Sequence, residues 1–280
     1  MRRTTMTAAG VLCAAAVVMT LGGTSFAEGT KTLRVAMECS HAPYNWTQPT
    51  DENGAVPIAD SKQYAYGYDV MIAKHICEEL GWDLEIVKLD WDALVPAVVS
   101  DTVDCAIAGQ AITPERVQYV DFTTPYYYAS VITLTKADSA YRYAKGVADL
   151  AGAKCTSQFS TVGYDTCLPQ IPDADILPAQ ESVSKMLEAL DADKCDLVVT
   201  DLPTGMAACV AYPDFMLLDF SGSEDDFEVS DEELSIGISL RKGNTELLEA
   251  LCGVLEEMTV EDYEEMMSEA ISVWPPVEAE

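Results

Sequence analysis

The sequence predicts an α/β protein of two lobes, each a mostly parallel sheet flanked by helices, with two extended crossings between them. Three observations lead to this prediction. The chain has 280 residues, which is long for one compact core and suits two domains. A strand–helix alternation runs through residues 33–108 and starts again at residue 153. Two capped helices then end the chain without a strand partner, so they should pack back on the first unit.

The N-terminus has the pattern of an export signal. Arg2 and Arg3 give a positive start, and no further charge occurs up to Ala27, which completes a small-x-small cleavage motif. We therefore expect residues 1–27 to be removed and the mature chain to act at the periplasmic or extracellular face of the cytoplasmic membrane. Two alternatives stay open. The uncharged run approaches the length of a membrane anchor, and Cys13 offers a lipid attachment point.

Composition excludes several classes of function. Apolar residues make up 49% of the chain, which indicates a globular rather than a disordered protein. The formal charge is −31, or −33 without the two N-terminal arginines, and this field repels nucleic acid. The chain has only two histidines, so no zinc-type cluster or Ser-His-Asp triad is expected, and no metal or cofactor. Eight cysteines follow the predicted signal, mostly in apolar runs that suit buried free thiols, and no pairing can be assigned.

The first unit is predicted to contain, in order, a strand, a helix, a strand, a helix and a strand. Its predicted strands cover residues 33–37, 84–87 and 104–108. Asp69 is the expected cap of the first helix, whose apolar residues recur every three or four positions until Gly81 ends it. Asp90 or Asp92 opens the second helix.

The second unit repeats the alternation. Its predicted strands cover residues 153–157, about 176 and 196–200, and its predicted helices cover residues 162–168, 183–190 and 203–210. Extended segments at residues 129–135 and 234–240 are the predicted crossings, and they would form a hinge. The final helices start at Asn244 and Val260. The first lobe is therefore expected at residues 28–129 and 231–280, and the second at residues 130–230.

Arg116 lies at the carboxyl end of a predicted strand, where open α/β sheets bind ligands. Thr113 is the predicted cap of a helix whose first residue is Pro114. Arg116 then lies in the first helical turn, where its positive charge opposes the helix dipole. An arginine in that unfavourable position suggests a functional role. Its guanidinium can hold a carboxylate through two parallel hydrogen bonds, and a salt bridge within the protein is the open alternative.

The second unit offers the complementary groups. Residues 158–162, Gln-Phe-Ser-Thr-Val, form another strand-to-helix turn, whose hydroxyls and amides can bind an anion. Asp201 ends a predicted strand just before Pro203, where it can cap a helix or receive an ammonium group. A cation on one lobe and an acid on the other would suit a zwitterion held between them.

Four segments of the chain resemble the extracellular solute-binding proteins of family 3, which serve ABC importers of polar amino acids. They are GYDVMIAKHICEELG at 67–81, DWDALVPAV at 90–98, AGQAITPERVQYVDFTTPYY at 108–127 and DLVVTDLPT at 196–204. The resemblance covers residues 33–272. It implies the periplasmic-binding-protein-like fold, capture of a free amino acid by lobe closure, and a membrane permease as partner. We expect a monomer.

The resemblance also implies roles for single residues. In the first lobe, Arg116 would hold the α-carboxylate, and the backbone of Gly109 and Ala111 would contact the ligand. Many relatives have a hydroxyl residue where Ala111 stands.

In the second lobe, the turn with Ser160 and Thr161 would contact the ligand, and Asp201 would receive the α-ammonium group. Phe159 stands where the family commonly has glycine.

Selectivity for the ligand side chain falls, by the same resemblance, on Glu38, His41, Tyr44 and Trp91. Trp91 could stack on a cationic side chain and Glu38 could neutralise it, which favours arginine, lysine, histidine or ornithine over acidic amino acids. Glutamine remains an alternative ligand, with Gln110 as the partner of its side-chain amide. The alternative is that Trp91 packs in the core and Glu38 faces solvent.

Two other functions are compatible with the same fold. Some relatives dehydrate prephenate or arogenate in this cleft, and Glu38 is the one obvious candidate acid here. A sensory input domain is the other alternative, although such domains are normally followed by a membrane span and a signalling module, which this sequence lacks.

Overall fold

The computed structural model describes residues 30–274, so the predicted signal, its cleavage site and Cys13 lie outside the described residues. The strands, in chain order, are β1 (Thr32–Met37), β2 (Ser40–His41), β3 (Asn45–Gln48), β4 (Val56–Pro57), β5 (Tyr64–Tyr66), β6 (Asp83–Lys88), β7 (Cys105–Ala106), β8 (Val120–Phe122), β9 (Tyr127–Tyr128), β10 (Val131–Lys136), β11 (Lys154–Thr156), β12 (Asp175–Ile176), β13 (Leu197–Asp201), β14 (Phe215–Leu218), β15 (Ser235–Ile236) and β16 (Ser239–Arg241). The α-helices are α1 (Tyr68–Leu80), α2 (Leu94–Val99), α3 (Val183–Asp191), α4 (Leu202–Ala211), α5 (Asp231–Leu234), α6 (Thr245–Glu257) and α7 (Val260–Ser272).

Two five-stranded sheets form the centres of two lobes and share one topology. Their strand orders are β6-β1-β7-β16-β8 and β12-β11-β13-β10-β14. In each sheet four strands run in the same direction and the fourth position is reversed. The prediction of two lobes, each with a mostly parallel sheet, is confirmed.

The reversed strands, β10 and β16, are those that the chain enters directly from the crossings. The crossings themselves pair as short antiparallel strands, β9 with β15. The parallel strands point their carboxyl ends at the cleft between the lobes. Because β10 and β16 start at the cleft, they run antiparallel to the other strands of their sheets. The predicted lobe boundaries, after residues 129 and 230, lie within a few residues of this pair and stay a prediction.

Helices cover both faces of each sheet, because alternate residues of the strands are buried on opposite sides. In β1, Leu33, Val35 and Met37 belong to one core and Ala36 to another. The second lobe likewise has two cores. None of these four buried clusters of the described chain contains buried residues of both lobes. Apolar burial therefore stabilises each lobe separately.

The last two helices pack on α1 of the first lobe, as predicted. Leu251 of α6 and Met267 of α7 share a buried cluster with Ile72 and Ile76 of α1. Asn244 caps α6 through a bond from the Leu247 amide. The first lobe is therefore discontinuous in sequence.

Three details differ from the sequence prediction. The predicted helix at residues 162–168 is a π-helical segment, Gly163–Cys167, followed by a 3₁₀ turn, Leu168–Gln170. Asp69 does not cap α1; the cap residue is Gly67, and Asp69 lies buried in the first turn. The chain between β1 and α1 also forms an extra antiparallel sheet with the order β2-β3-β5-β4, which was not predicted because its strands are two to four residues long. The predicted end of α1 is confirmed, since Gly81 adopts the left-handed conformation there with φ 65°.

No helix within residues 30–274 combines the length and apolar character that a membrane crossing requires.

All eight cysteines of the described chain are free thiols, and six of them are buried. Burial raises the pKa of Cys39 and of Cys167 to about 12, so both stay protonated and unreactive at neutral pH.

We expect a chain lacking residues 1–27 to give eight reactive thiols in denaturant without reductant, measured with a chromogenic disulfide reagent. In the native protein the half-buried Cys209 and Cys252 should react first. Fewer than eight thiols after unfolding would show that disulfides form in the exported protein.

Candidate functional site

The turn after β7 forms the first-lobe side of the cleft. Gly109 adopts φ 62°, and a Cβ there would lie 3.2 Å from the Tyr44 ring and 3.3 Å from the His41 ring. The Gly109 amide donates to the Tyr126 hydroxyl over 3.1 Å. Glycine therefore lets this turn pass close to two aromatic rings, and Tyr126 holds it in place.

Arg116 follows this turn in a 3₁₀-helix of three residues, Arg116–Gln118, rather than in an α-helix. The predicted conflict with a helix dipole is therefore wrong, because one 3₁₀ turn has too few aligned peptides to build one. Thr113 does cap the turn, since its hydroxyl accepts the Arg116 amide over 3.3 Å.

The Arg116 guanidinium bridges the two lobes through neutral partners. Nη1 donates to the carbonyl of Ala111 over 2.8 Å, and Nη2 donates to the carbonyl of Ser160 in the second lobe over 2.7 Å. Its Cζ lies 5.2 Å from the centre of the Trp91 ring. No carboxylate of the described chain lies within salt-bridge distance of it. Burial lowers the pKa of Arg116 to about 10, which still leaves the group charged at neutral pH.

Asp201 ends β13 and caps α4. Its Oδ1 accepts the Thr204 amide over 3.0 Å, and its Oδ2 accepts the Thr204 hydroxyl over 2.9 Å. From the first lobe, the Tyr44 hydroxyl donates to Oδ1 over 3.3 Å, and His41 Nε2 lies 4.0 Å from Oδ2. The two roles considered for this residue are therefore compatible, because the capping carboxylate also faces the cleft.

The second-lobe turn receives donors from the first lobe on its backbone. Trp91 Nε1 donates to the Phe159 carbonyl over 2.8 Å, next to the Ser160 carbonyl that Arg116 contacts. Ser160 has φ 51°. The Thr161 hydroxyl donates to the Gln158 carbonyl over 2.7 Å and closes the turn.

Glu38 is buried in the seam between the lobes and does not face solvent. Its carboxylate accepts the Ser40 hydroxyl over 2.9 Å and the Gln158 amide over 3.3 Å. Nearby, His41 Nε2 lies 3.1 Å from the Thr204 hydroxyl, which donates to Asp201, so His41 Nε2 is the donor of that pair. First-lobe polar groups thus contact the second lobe at several points.

These elements enclose a narrow cavity of about 80 Å³ between the lobes. Seven of the eleven predicted site residues line it: His41, Trp91, Gly109, Ala111, Arg116, Thr161 and Asp201. Arg116 and Asp201, predicted from separate units, therefore share one cavity.

Four predicted residues do not line this cavity. Glu38 lies in the seam, and Tyr44 lies behind His41, with ring centres 4.9 Å apart. Ser160 contacts Arg116 only through its carbonyl. Gln110 is buried within the first lobe, where its Oε1 accepts the Ser239 hydroxyl over 2.8 Å.

Several lining residues were not predicted. Ser157, Val183, Met186 and Glu233 also line the cavity. Val183 and Met186 follow the apolar period of α3, so the sequence does not distinguish them from core residues. Glu233 belongs to an acidic stretch that resembles a solvated surface.

A wider groove of about 540 Å³ lies outside the narrow cavity and shares five lining residues with it: Trp91, Arg116, Thr161, Val162 and Glu233. Exposed Tyr119 and Phe159 line its walls. Arg116 therefore stands between the cavity and the mouth of the cleft.

The sequence profile of the bacterial extracellular solute-binding proteins, family 3, matches residues 33–270. The arginine-binding extracellular protein ArtP of Bacillus subtilis (strain 168) is 27% identical over 214 residues, which are 71% of this chain and 78% of that protein.

Two solved structures share the fold. The arginine-bound form of truncated ArgBP from T. maritima is 29% identical, with a TM-score of 0.66, over 81% of this chain and 96% of that one. The ancestral amino acid-binding protein AncCDT-1, described as a precursor of cyclohexadienyl dehydratase, is 28% identical, with a TM-score of 0.69, over 86% and 95%.

Proposed function

The chain belongs to family 3 of the bacterial extracellular solute-binding proteins, and from this we propose that Arg116 and Asp201 hold the head group of a free amino acid between the lobes. The protein is the substrate-binding component of an ABC importer for amino acids. The observation that carries the site assignment is that a guanidinium and a carboxylate, one from each lobe, line one cavity.

Arg116 suits the α-carboxylate because no carboxylate of the described chain lies within salt-bridge distance of it, and Glu115 and Asp165 act on its charge only from farther away. Two of its five N–H groups bond to neutral carbonyls, so others stay available for a carboxylate. Partial burial strengthens that attraction, since the field of the guanidinium is screened less than in water. A bound carboxylate would supply a counter-charge in direct contact with the guanidinium, which no carboxylate of the described chain does.

Asp201 suits the α-ammonium group for the complementary reason. All its bonding partners in the protein are neutral donors: the Thr204 amide and hydroxyl and the Tyr44 hydroxyl. Its position as a helix cap fixes the carboxylate toward the cleft. An ammonium group can therefore add a charge-assisted hydrogen bond to Asp201, whose one ion-pair contact in the described chain is with His41 Nε2, 4.0 Å from Oδ2.

Lobe closure is the proposed mechanism. We propose that residues 28–129 and 231–280 move as one unit against residues 130–230, about the crossing pair β9 and β15. The seam is polar, with bonds such as Trp91 Nε1 to the Phe159 carbonyl and Gln158 to Glu38. Water can replace such bonds when the lobes separate. A ligand that bridges Arg116 and Asp201 would bind the closed form better and shift the population toward it.

A cationic side chain is the proposed specificity, with arginine first. Trp91 offers an aromatic wall, and the strongly acidic surface disfavours an acidic ligand. The B. subtilis relative is named as arginine-binding. Glutamine is less well supported, because the Gln110 side chain bonds to Ser239 and does not line the cavity.

The location and partners follow from the family. We propose that residues 1–27 are removed on export, that the monomer works at the outer side of the cytoplasmic membrane, and that the closed form delivers its ligand to a membrane permease.

Removal of either charge should abolish tight binding while the fold persists. We expect Arg116→Ala and Asp201→Asn each to weaken binding of the best ligand by about 2–5 kcal/mol, because one ligand charge is left buried and unpaired. Asn caps helices about as well as Asp, so the second variant removes the charge and keeps the helix cap. Calorimetry measures the affinity, and thermal unfolding checks the fold.

Arg34→Ala is the matched control. Arg34 forms a surface ion pair with Glu85, so this variant removes a first-lobe arginine away from the cleft. It should bind as the parent does. If Arg116→Ala binds the ligand as the parent does, the assignment of Arg116 to the ligand head group is wrong.

A calorimetric panel of arginine, lysine, histidine, ornithine, glutamine, glutamate and aspartate tests the proposed specificity. We expect the cationic amino acids to bind most tightly. Agmatine, which is arginine without its α-carboxylate, should bind at least a hundredfold more weakly than arginine, since Arg116 then has no partner. Tight glutamate or aspartate binding would contradict the proposed side-chain preference and leave the head-group site standing.

Dehydration of prephenate or arogenate is the alternative function. The relationship to AncCDT-1 raises it, but Glu38, the candidate acid, is buried in the seam and does not line the cavity. A general acid has to reach the reacting group within hydrogen-bond distance. We therefore propose that the protein is not an enzyme.

We expect no phenylpyruvate or phenylalanine above the uncatalysed rate when the purified protein is incubated with prephenate or arogenate. Product analysis by chromatography checks this, with Glu38→Gln as the control. Turnover that Glu38→Gln removes would establish the dehydratase.

A further inference from the structure

Asp69 is a fully buried carboxylate in the first turn of α1, outside the cavity. Tyr126 donates its hydroxyl to Oδ1 over 2.7 Å, and Asn45 donates its amide to Oδ2 over 2.7 Å. None of the ion pairs in the described chain includes Asp69. A buried carboxylate without a cation is costly, so its retention calls for a reason other than stability.

Each partner of Asp69 also holds a turn that faces the cleft. The Tyr126 hydroxyl accepts the Gly109 amide over 3.1 Å. The Asn45 Oδ1 accepts the Cys39 amide over 2.6 Å. Gly109 begins the turn that precedes Arg116, and Cys39 follows Glu38 in the first cleft loop.

The two residues whose amides bond to Tyr126 and Asn45 both have left-handed backbone conformations, with φ 62° at Gly109 and 54° at Cys39. The second is not a glycine, so its conformation is strained and needs external support. The two bonds to their amides supply that support from one shared anchor.

The hydrogen bonds of this network run in one direction. Gly109 donates to Tyr126, which donates to Asp69, and from the other side Cys39 donates to Asn45, which donates to Asp69. Both branches end on an acceptor, which only an ionised carboxylate provides at both of its oxygens. With Asn45 in place, a neutral amide at position 69 would break one branch.

We propose that Asp69 is a positioning residue that sets the head-group turn at Gly109 and the side-chain loop at Cys39 together, before any ligand arrives. The inference rests on the proposed function of the cleft and adds a residue that does not itself touch the ligand. Asp69 would act by pre-organising the first-lobe half of the site, which reduces the ordering required on binding.

The direction of the Asp69 pKa shift agrees with a buried group that its donors keep charged. Burial raises its pKa to about 6, whereas the bonds from Tyr126 and Asn45 and the field of His41 oppose that rise. Asp201, across the cleft, adds to the rise. Asp69 is therefore mostly ionised at neutral pH.

Tyr126→Phe and Tyr66→Phe form a matched pair of variants. Each removes the hydroxyl of a buried tyrosine that donates to a first-lobe carboxylate: Tyr126 to the buried Asp69 over 2.7 Å, and Tyr66 to the exposed Glu269 over 2.8 Å. Only Tyr126 also accepts an amide of the cleft. We expect Tyr126→Phe to weaken binding of the best panel ligand about tenfold, because the Gly109 amide loses its acceptor. Tyr66→Phe should bind as the parent does.

A spectroscopic readout separates positioning from general destabilisation. The amide hydrogen exchange of Gly109, followed by NMR in the ligand-free protein, should speed up in Tyr126→Phe and stay unchanged in Tyr66→Phe. Equal affinities for the two variants, or an unchanged Gly109 exchange rate in Tyr126→Phe, would overturn the proposal.

An exchange of the two central residues gives a rescue test. Asp69→Asn alone sets two amide groups against each other, and Asn45→Asp alone sets two carboxylates against each other. The double variant Asn45→Asp, Asp69→Asn restores every donor and acceptor of the network. We expect each single variant to bind at least tenfold more weakly and the double variant to come within about threefold of the parent.

Comparison with Arg116→Ala keeps this inference distinct from the proposed function. If Arg116→Ala loses binding and the network variants do not, only the role of Asp69 is rejected. If Arg116→Ala also binds as the parent does, the site itself is rejected.

Discussion

A half-buried guanidinium that lacks a carboxylate partner is the constraint on which the cleft depends. Arg116 meets it with carbonyl oxygens from both lobes, Ala111 on one side and Ser160 on the other. Neutral carbonyls satisfy hydrogen bonding but leave the charge in place. The closed arrangement therefore presents a fixed positive site to the cavity, opposite the carboxylate of Asp201, and a zwitterion is the simplest small molecule that complements both.

Chain topology brings these two groups together. In each sheet the parallel strands end at the cleft, and the strand that enters from the crossing runs the other way. Residues just beyond strand ends, such as Trp91, Gly109 and Gln158, therefore converge from both lobes on one seam. Each of the four apolar cores stays within one lobe, so no core spans the seam.

Asp69 illustrates how a binding surface can be built at the expense of stability. The rise of its pKa from 3.8 to about 6 corresponds to roughly 3 kcal/mol. Folding favours the protonated form, so this stabilisation is present below about pH 4 and is lost as the pH rises through about 6. At neutral pH the fold bears the cost, and the ionised carboxylate holds the Gly109 turn through Tyr126. Stability and function are opposed at this residue.

The sequence by itself determined the two α/β units, the return of the last helices to the first lobe, and the two opposite charges at strand ends. These depend on local periodicity and on short motifs such as the segment around Arg116. Only the tertiary structure decided that the side chains of Glu38 and Gln110 are hydrogen-bonded to other residues of the protein. It also decided that Met186 faces the cavity and that Asp69 anchors the cleft loops. The physical reason is that burial and hydrogen-bond partners arise between residues far apart in the chain. A buried carboxylate and a helix cap have the same appearance in sequence until those partners are placed.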